Sequence, residues 1–240
     1  MTPKRDPLKI ASGFADALKG AFGNELQSVL LVGSAVRGDF IPGKSDINTL
    51  VILTPDGMDW LEKAYPVLRT WQRKGLAVPH FMMPDAVTNA LDSYPLEFLD
   101  FKTFHKVIVG PDIMAEVDIP AKPLRLQIER ELRGKLFLFR QVFASEAGHS
   151  KQLRIVLTRS VSVFTPVFQG ILELGKQTIP VDRHDLFREA AAFAGFSERV
   201  FLQLLDIRDG KGSKNLKVVF KDLIKEIGPI VQWIDGFDAK

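Results

Sequence analysis

The sequence predicts a chain in two parts, an α/β or α+β first half followed by an all-α helical bundle, and three observations carry that prediction. Two runs of strand length rich in β-branched residues, Val29 to Val32 and Thr49 to Leu53, flank a segment punctuated by Gly38 and Pro42-Gly43. Strand-like and helix-like segments then alternate as far as about residue 120. Beyond Pro120 and Pro123 the apolar residues recur only at helical spacing. The expected domains are therefore 1–120 and 121–240.

Leu8, Ala11, Phe14, Leu18 and Phe22 stand at helical spacing, so residues 4 to 22 read as an amphipathic helix packed on a sheet. The two strands follow, the second expected to run from Ser45 to Leu53. Asp59 to Lys74 reads as a helix with Trp60, Ala64, Val67, Leu68 and Trp71 on one side. Leu76 to Met83 reads as a third strand, Asp85 to Leu91 as a short helix, and LEFLDF (96–101) and HKVIVG (105–110) as two short strands. In the second half, Leu124, Ile128, Leu132, Leu136, Phe139 and Phe143 form one stripe. Leu153, Val156, Ser160, Val163, Val167 and Ile171 form another, bent at Pro166. Helices near Asp185 to Ala194 and Ser197 to Ile207 stop at Gly195 and Gly210, and a last one carries Leu216, Phe220, Leu223, Ile227, Val231 and Ile234.

The chemistry concentrates between Val29 and Leu53. Gly33 has no Cβ and lets phosphate oxygens approach the backbone, while Ser34 adds a hydroxyl donor. In a strand of period two, Asp46 and Asn48 project from one face, where a divalent cation could bridge them to a nucleotide held near Gly33 and Ser34. Arg37 and Lys44 lie in the intervening loop and could neutralise polyphosphate charge; solvent exposure is the alternative for both.

Gly33-Ser34, a spacer, and then Ser45-Asp46-Ile47-Asn48 opening a strand resembles the nucleotidyltransferase superfamily that includes DNA polymerase beta and the aminoglycoside nucleotidyltransferases. The resemblance implies an α+β fold with a small mixed sheet and flanking helices. It also implies transfer of a nucleoside monophosphate from a nucleoside triphosphate to a hydroxyl on a small-molecule or protein acceptor, with Mg²⁺ held by paired carboxylates. Asp46 would be the principal Mg²⁺ ligand and Asn48 its companion, with Gly33 and Ser34 at the triphosphate. The chain departs from the family pattern at Asn48, which keeps the length and oxygen of the expected acid without its charge. It departs again in the third strand, Val78 to Met83, which has no carboxylate. Glu97, with Asp100, could substitute as metal ligand or general base if LEFLDF lay beside the motif strand. These departures leave a second reading, a nucleotide-binding or regulatory module of antitoxin-like kind.

Gly38 to Ser45 also matches the P-loop string G-x-x-x-x-G-K-[ST]. A true P-loop joins a strand directly to a helix. Here the strand ends near Val32 and the residues after Ser45 read as strand, so an NTPase of that kind is the weaker reading.

Zero cysteines exclude disulfides and thiolate catalysis, and the four histidines show no i,i+3 or i,i+4 pairing that would suggest zinc. Neither a G-x-S-x-G elbow nor a G-x-G-x-x-G fingerprint occurs. No secretory segment is recognised and no apolar run is expected to span a membrane, so the cytoplasm is the expected compartment. Residues 1–120 carry 12 basic and 15 acidic side chains, a balance of −3, and residues 121–240 carry 20 and 14, a balance of +6. The second half intersperses its basic residues with acids and has no aromatic-basic motif, which argues for solvated helix surfaces rather than nucleic-acid binding.

Overall fold

A computed structural model describes residues 6–43, 45–147, 149–212 and 215–239. The chain divides into two compact units, Met1–Leu91 with Asp100–Asp118, and Asp92–Leu99 with Ile119–Lys240. The first is an α+β fold on a mixed sheet and the second is all-α.

In the first unit, helix α1 (Pro7–Phe22) is started by Asp6, whose carboxylate accepts from the Leu8 and Lys9 amides, and by Pro7 in its first turn. Ala11, Phe14, Ala15, Leu18 and Phe22 are buried, whereas Leu8, expected in that stripe, is exposed. Strand β1 (Leu26–Val32) leads into a four-residue helix, α2 (Ser34–Arg37), and then to β2 (Asn48–Leu53). Helices α3 (Pro55–Asp59) and α4 (Ala64–Gln72) precede β3 (His80–Met82), and α5 (Pro84–Asn89) follows it. Helix α6 (Pro95–Thr103) begins in the second unit and ends in the first, where β4 (His105–Val109) completes the sheet.

The sheet order is β3-β2-β1-β4, with β1 antiparallel to β2 and β4, and β2 parallel to β3. One face buries Val29, Leu31, Ile47, Val51 and Leu53 against α1. Because Leu30, Leu50 and Ile52 are also fully buried, β1 and β2 are covered on both sides.

Four expectations are corrected. The Asp59 to Lys74 helix is broken, because Pro66 lacks the N–H that would continue it from Glu62; α4 restarts at Ala64, and Trp60 stands 40% exposed with the Lys63 ammonium over its ring. The third strand is only three residues long, preceded by a single bridge between Ile47 and Leu76, since Pro79 cannot donate to a ladder. The motif strand begins at Asn48 rather than Ser45. Ser45 instead closes a turn, its amide donating to the Ile41 carbonyl and its hydroxyl accepting from the Ile41 amide.

The fourth correction is LEFLDF, which is helix α6. Leu96, Phe98, Leu99 and Phe101 are all buried, so apolar residues occupy adjacent positions and the period cannot be read from so short a run. Pro95 in the first helical position is the signal that decides it.

The second unit contains α7 (Ala121–Glu146), α8 (Ser150–Leu174), α9 (Arg183–Ala194), α10 (Arg199–Arg208) and α11 (Leu216–Asp235). Its core is aromatic: Phe168 meets Phe187 and Phe201 edge to face at 4.9 and 5.0 Å, and Phe164 meets Phe201 at 5.0 Å. Pro166 interrupts the ladder of α8. Contrary to expectation, α8 is long and apolar enough by length and composition to cross a membrane. Its most apolar stretch is 61% buried inside the structure, so most of that apolarity faces neighbouring elements.

Candidate functional site at the end of β1

The last pair of the β1–β2 ladder is Val32 with Asn48, which sets the residue after β1 beside the first residue of β2. That residue is Gly33, at φ 74 and ψ −141, a conformation that L side chains rarely adopt. Its amide donates to the Phe104 carbonyl at 3.1 Å, and its own carbonyl accepts from the Val36 and Arg37 amides at 3.0 Å. A Cβ on Gly33 would stand 3.7 Å from Asn48 Nδ2, so the glycine leaves an open cradle between the turn and the amide. Ser34 is partly exposed, and its hydroxyl makes no hydrogen bond among the described residues.

Ile47 is fully buried on the α1 side, so Asn48, which opens β2, turns to the other side. Asp46 is exposed and Asn48 half-buried. The Gly33-Ser34 turn and Asn48 therefore meet at one corner of the sheet, and Asp46 lies two residues before Asn48, ahead of the strand instead of in it. No helix starts at Ser45, and the P-loop reading falls with it. Lys44 lies outside the described residues.

Arg37 and Glu97 are placed differently from expectation. Arg37 is 8% exposed, its guanidinium 4.4 Å above the Phe104 ring and ion-paired with Asp100, so its charge is neutralised within the unit instead of facing solvent. Glu97 is exposed in the first turn of α6 and belongs to the second unit. There it accepts from Gln127 Nε2 at 2.8 Å, while Gln127 Oε1 accepts from the Leu96 amide at 2.9 Å. In β3 the residue in register with Leu50 is His80, exposed and 5.4 Å from the Phe101 ring. Among the described residues no three His, Asp or Glu side chains converge as a metal cluster.

The sequence reading missed the clamp on the other side of β1. His105 pairs with Val32, its Nδ1 lies 3.0 Å from the Phe101 and Lys102 carbonyls, and its Nε2 lies 3.1 Å from the Asp112 carboxylate. Asp112 also accepts from the Met114 and Ala115 amides. Its burial pushes the carboxyl up, but the hydrogen bond to His105 and the two amides outweigh that and hold it below the usual carboxylate value. A carboxyl lowered in the folded state adds stability above its unfolded pKa of about 3.9, and that contribution disappears as pH falls through the folded value. Asp112→Asn should therefore lower stability at neutral pH and leave it unchanged well below pH 3, as urea titrations at several pH values would read. A loss of equal size at every pH would assign Asp112 a packing role only.

No protein-family profile and no curated protein matches the chain. Among solved structures it is similar to the spectinomycin adenyltransferase of Enterococcus faecialis, crystallised with ATP and spectinomycin. That likeness has 12% sequence identity and a TM-score of 0.48, and covers 90% of this chain and 98% of the other.

Proposed function

We propose that the protein is a nucleotidyltransferase that moves a nucleoside monophosphate from a nucleoside triphosphate to a hydroxyl of a small-molecule or protein acceptor. The observation that carries the reading is the pairing of Val32 with Asn48, which sets the Gly33-Ser34 turn beside Asn48, two residues after Asp46.

The donor set suits one Mg²⁺. That ion is commonly held by one or two carboxylates together with substrate phosphates, and Asp46 supplies a carboxylate and Asn48 an amide oxygen. It does not suit two such ions, which need more acid than these residues provide. When bound, Mg²⁺ would neutralise triphosphate charge. Of the chain's own groups, Gly33 leaves room for the phosphates, the Ser34 hydroxyl donates to a phosphate oxygen, and Asp46 orients the metal-bound nucleotide. The acceptor hydroxyl would attack the α-phosphorus and displace pyrophosphate.

A second reading is a nucleotide-binding module that performs no transfer. It is supported by the neutral Asn48, by His80 in β3, and by the lack of any three-acid cluster among the described residues. One pair of measurements separates the readings. Calorimetry should give Mg²⁺-dependent triphosphate binding that Asp46→Asn weakens by about tenfold or more. Incubation with labelled triphosphates and extracts, followed by mass detection of nucleotidylated products, should then reveal transfer. Binding without transfer, with or without Mg²⁺, selects the module, and absent binding removes both.

A further inference from the structure

Helix α7 carries two apolar faces, and only one is used within its unit. Leu124, Ile128, Leu132 and Phe139 are buried. About half a turn away, Leu126 and Phe137 stand 56% and 67% exposed. With Tyr94, itself 57% exposed, they border an open hollow of about 1060 Å³. Exposed aromatic and aliphatic residues gathered around one hollow mark an interaction surface.

Two further observations describe what fits there. Gly134 lines the hollow from the interior of α7, where glycine costs about 1 kcal/mol relative to alanine. Beyond its own turns of helix backbone, no described residue lies within 4 Å of where its Cβ would be, so no packing among the described residues demands it. Gly170 of α8 is the contrast, since a Cβ there would meet Leu96 and Ile128 at 2.7 and 2.8 Å. A small residue on an unused helix face lets a second helix approach closely.

The charges of the hollow are self-complementary. Arg133 is bound to Glu129 at 2.7 Å, and Glu129 also takes Arg125. Arg130 makes no ion pair among the described residues, and Asp92 accepts only from the neighbouring Ser93 hydroxyl. Among the described residues lining the hollow, Arg130 and Asp92 are thus available to a partner and Leu126 and Phe137 stand on either side of Arg130, while two acids, Asp92 and Glu129, balance two bases, Arg130 and Arg133, so no excess charge selects a polyanion or polycation.

We infer that this face of α7 binds the same face of a second copy of the chain about a two-fold axis, with the helices crossing antiparallel between Arg130 and Gly134. An isologous contact gives each group its counterpart twice. Leu126 packs on the second copy's Phe137, Arg130 passes over the space left by the opposite Gly134, and its guanidinium meets the opposite Asp92. Leu126 and Phe137 are about 16 Å apart along the helix, which makes the contact roughly three turns long.

The test is sedimentation velocity on the full chain over roughly a hundredfold concentration range. The expected result is a reversible dimer. Arg130→Asp and Asp92→Arg should each raise the dissociation constant by about tenfold or more, because each sets like charges opposite one another twice. An equimolar mixture of the two variants should recover the dimer, because each contact then pairs Asp with Arg. Circular dichroism checks the folds, and Phe137→Ser serves as a third disrupting variant if either charge reversal misfolds. A wild type that stays monomeric, a dimer indifferent to all three substitutions, or a mixture that stays monomeric would each overturn the inference; the last would leave the hollow to a different occupant.

Discussion

Replacing Arg37 with leucine is expected to lower folding stability by about 3 kcal/mol, because it removes the buried guanidinium ion-paired with the Asp100 carboxylate. Breaking a buried pair from one side costs about 3–5 kcal/mol, and water reaching the 27% exposed Asp100 side chain places this case at the lower end. The loss also removes the cation from above the Phe104 ring. Arg37→Leu with Asp100→Leu should recover part of the stability lost in Arg37→Leu, since replacing both partners removes both charges of the pair. Urea unfolding of the two single variants and the double variant measures the coupling. If Arg37→Leu instead keeps its stability and loses Mg²⁺-nucleotide affinity by more than about tenfold, the guanidinium serves phosphate and not Asp100.

That pair also shows where the sequence stops being legible. Arg37 and Asp100 are 63 residues apart, and nothing local to either announces the other. Taken alone, an arginine in a Gly-rich loop beside a phosphate-like motif looks available to a ligand. The fold brings α6 and Phe104 to it instead. What could be read was whatever depended on period: α1 from its apolar stripe, and the faces of α7 and α11. Period fails when apolar residues crowd adjacent positions. LEFLDF is such a run, and reading it as strand put Glu97 near the motif, whereas the helix puts Glu97 with Gln127 in the second unit. The approach of Gly33 to Asn48 was accessible because two antiparallel strands joined by a loop tend to be neighbours. The Phe104 carbonyl that fixes the Gly33 amide was not, since it depends on β4 choosing the other edge of β1.

Asn48→Asp is expected to tighten Mg²⁺-dependent nucleotide binding by about tenfold or more. The substitution is nearly isosteric and keeps an oxygen at the same reach, so the backbone pairing of Val32 with residue 48 has no reason to change. It adds one negative charge beside Asp46 at the half-buried corner of the sheet. Two unit charges about 4 Å apart interact by about 4 kcal/mol at an effective dielectric of 20, and even a fraction of that exceeds the 1.4 kcal/mol that corresponds to tenfold. Without metal the same charge should repel the triphosphate, so affinity measured in chelator should fall in the variant. This reversal of sign separates a metal site from a general change in the pocket. Transfer need not appear, because His80 still occupies β3 where the family resemblance leads one to expect an acid. Calorimetry on both proteins at one ionic strength, with Mg²⁺ and then with chelator, gives both arms. Equal affinities in both arms, with the fold intact, would mean that residue 48 faces no metal-bound nucleotide, and the proposal of nucleotidyl transfer at this corner would have to be given up.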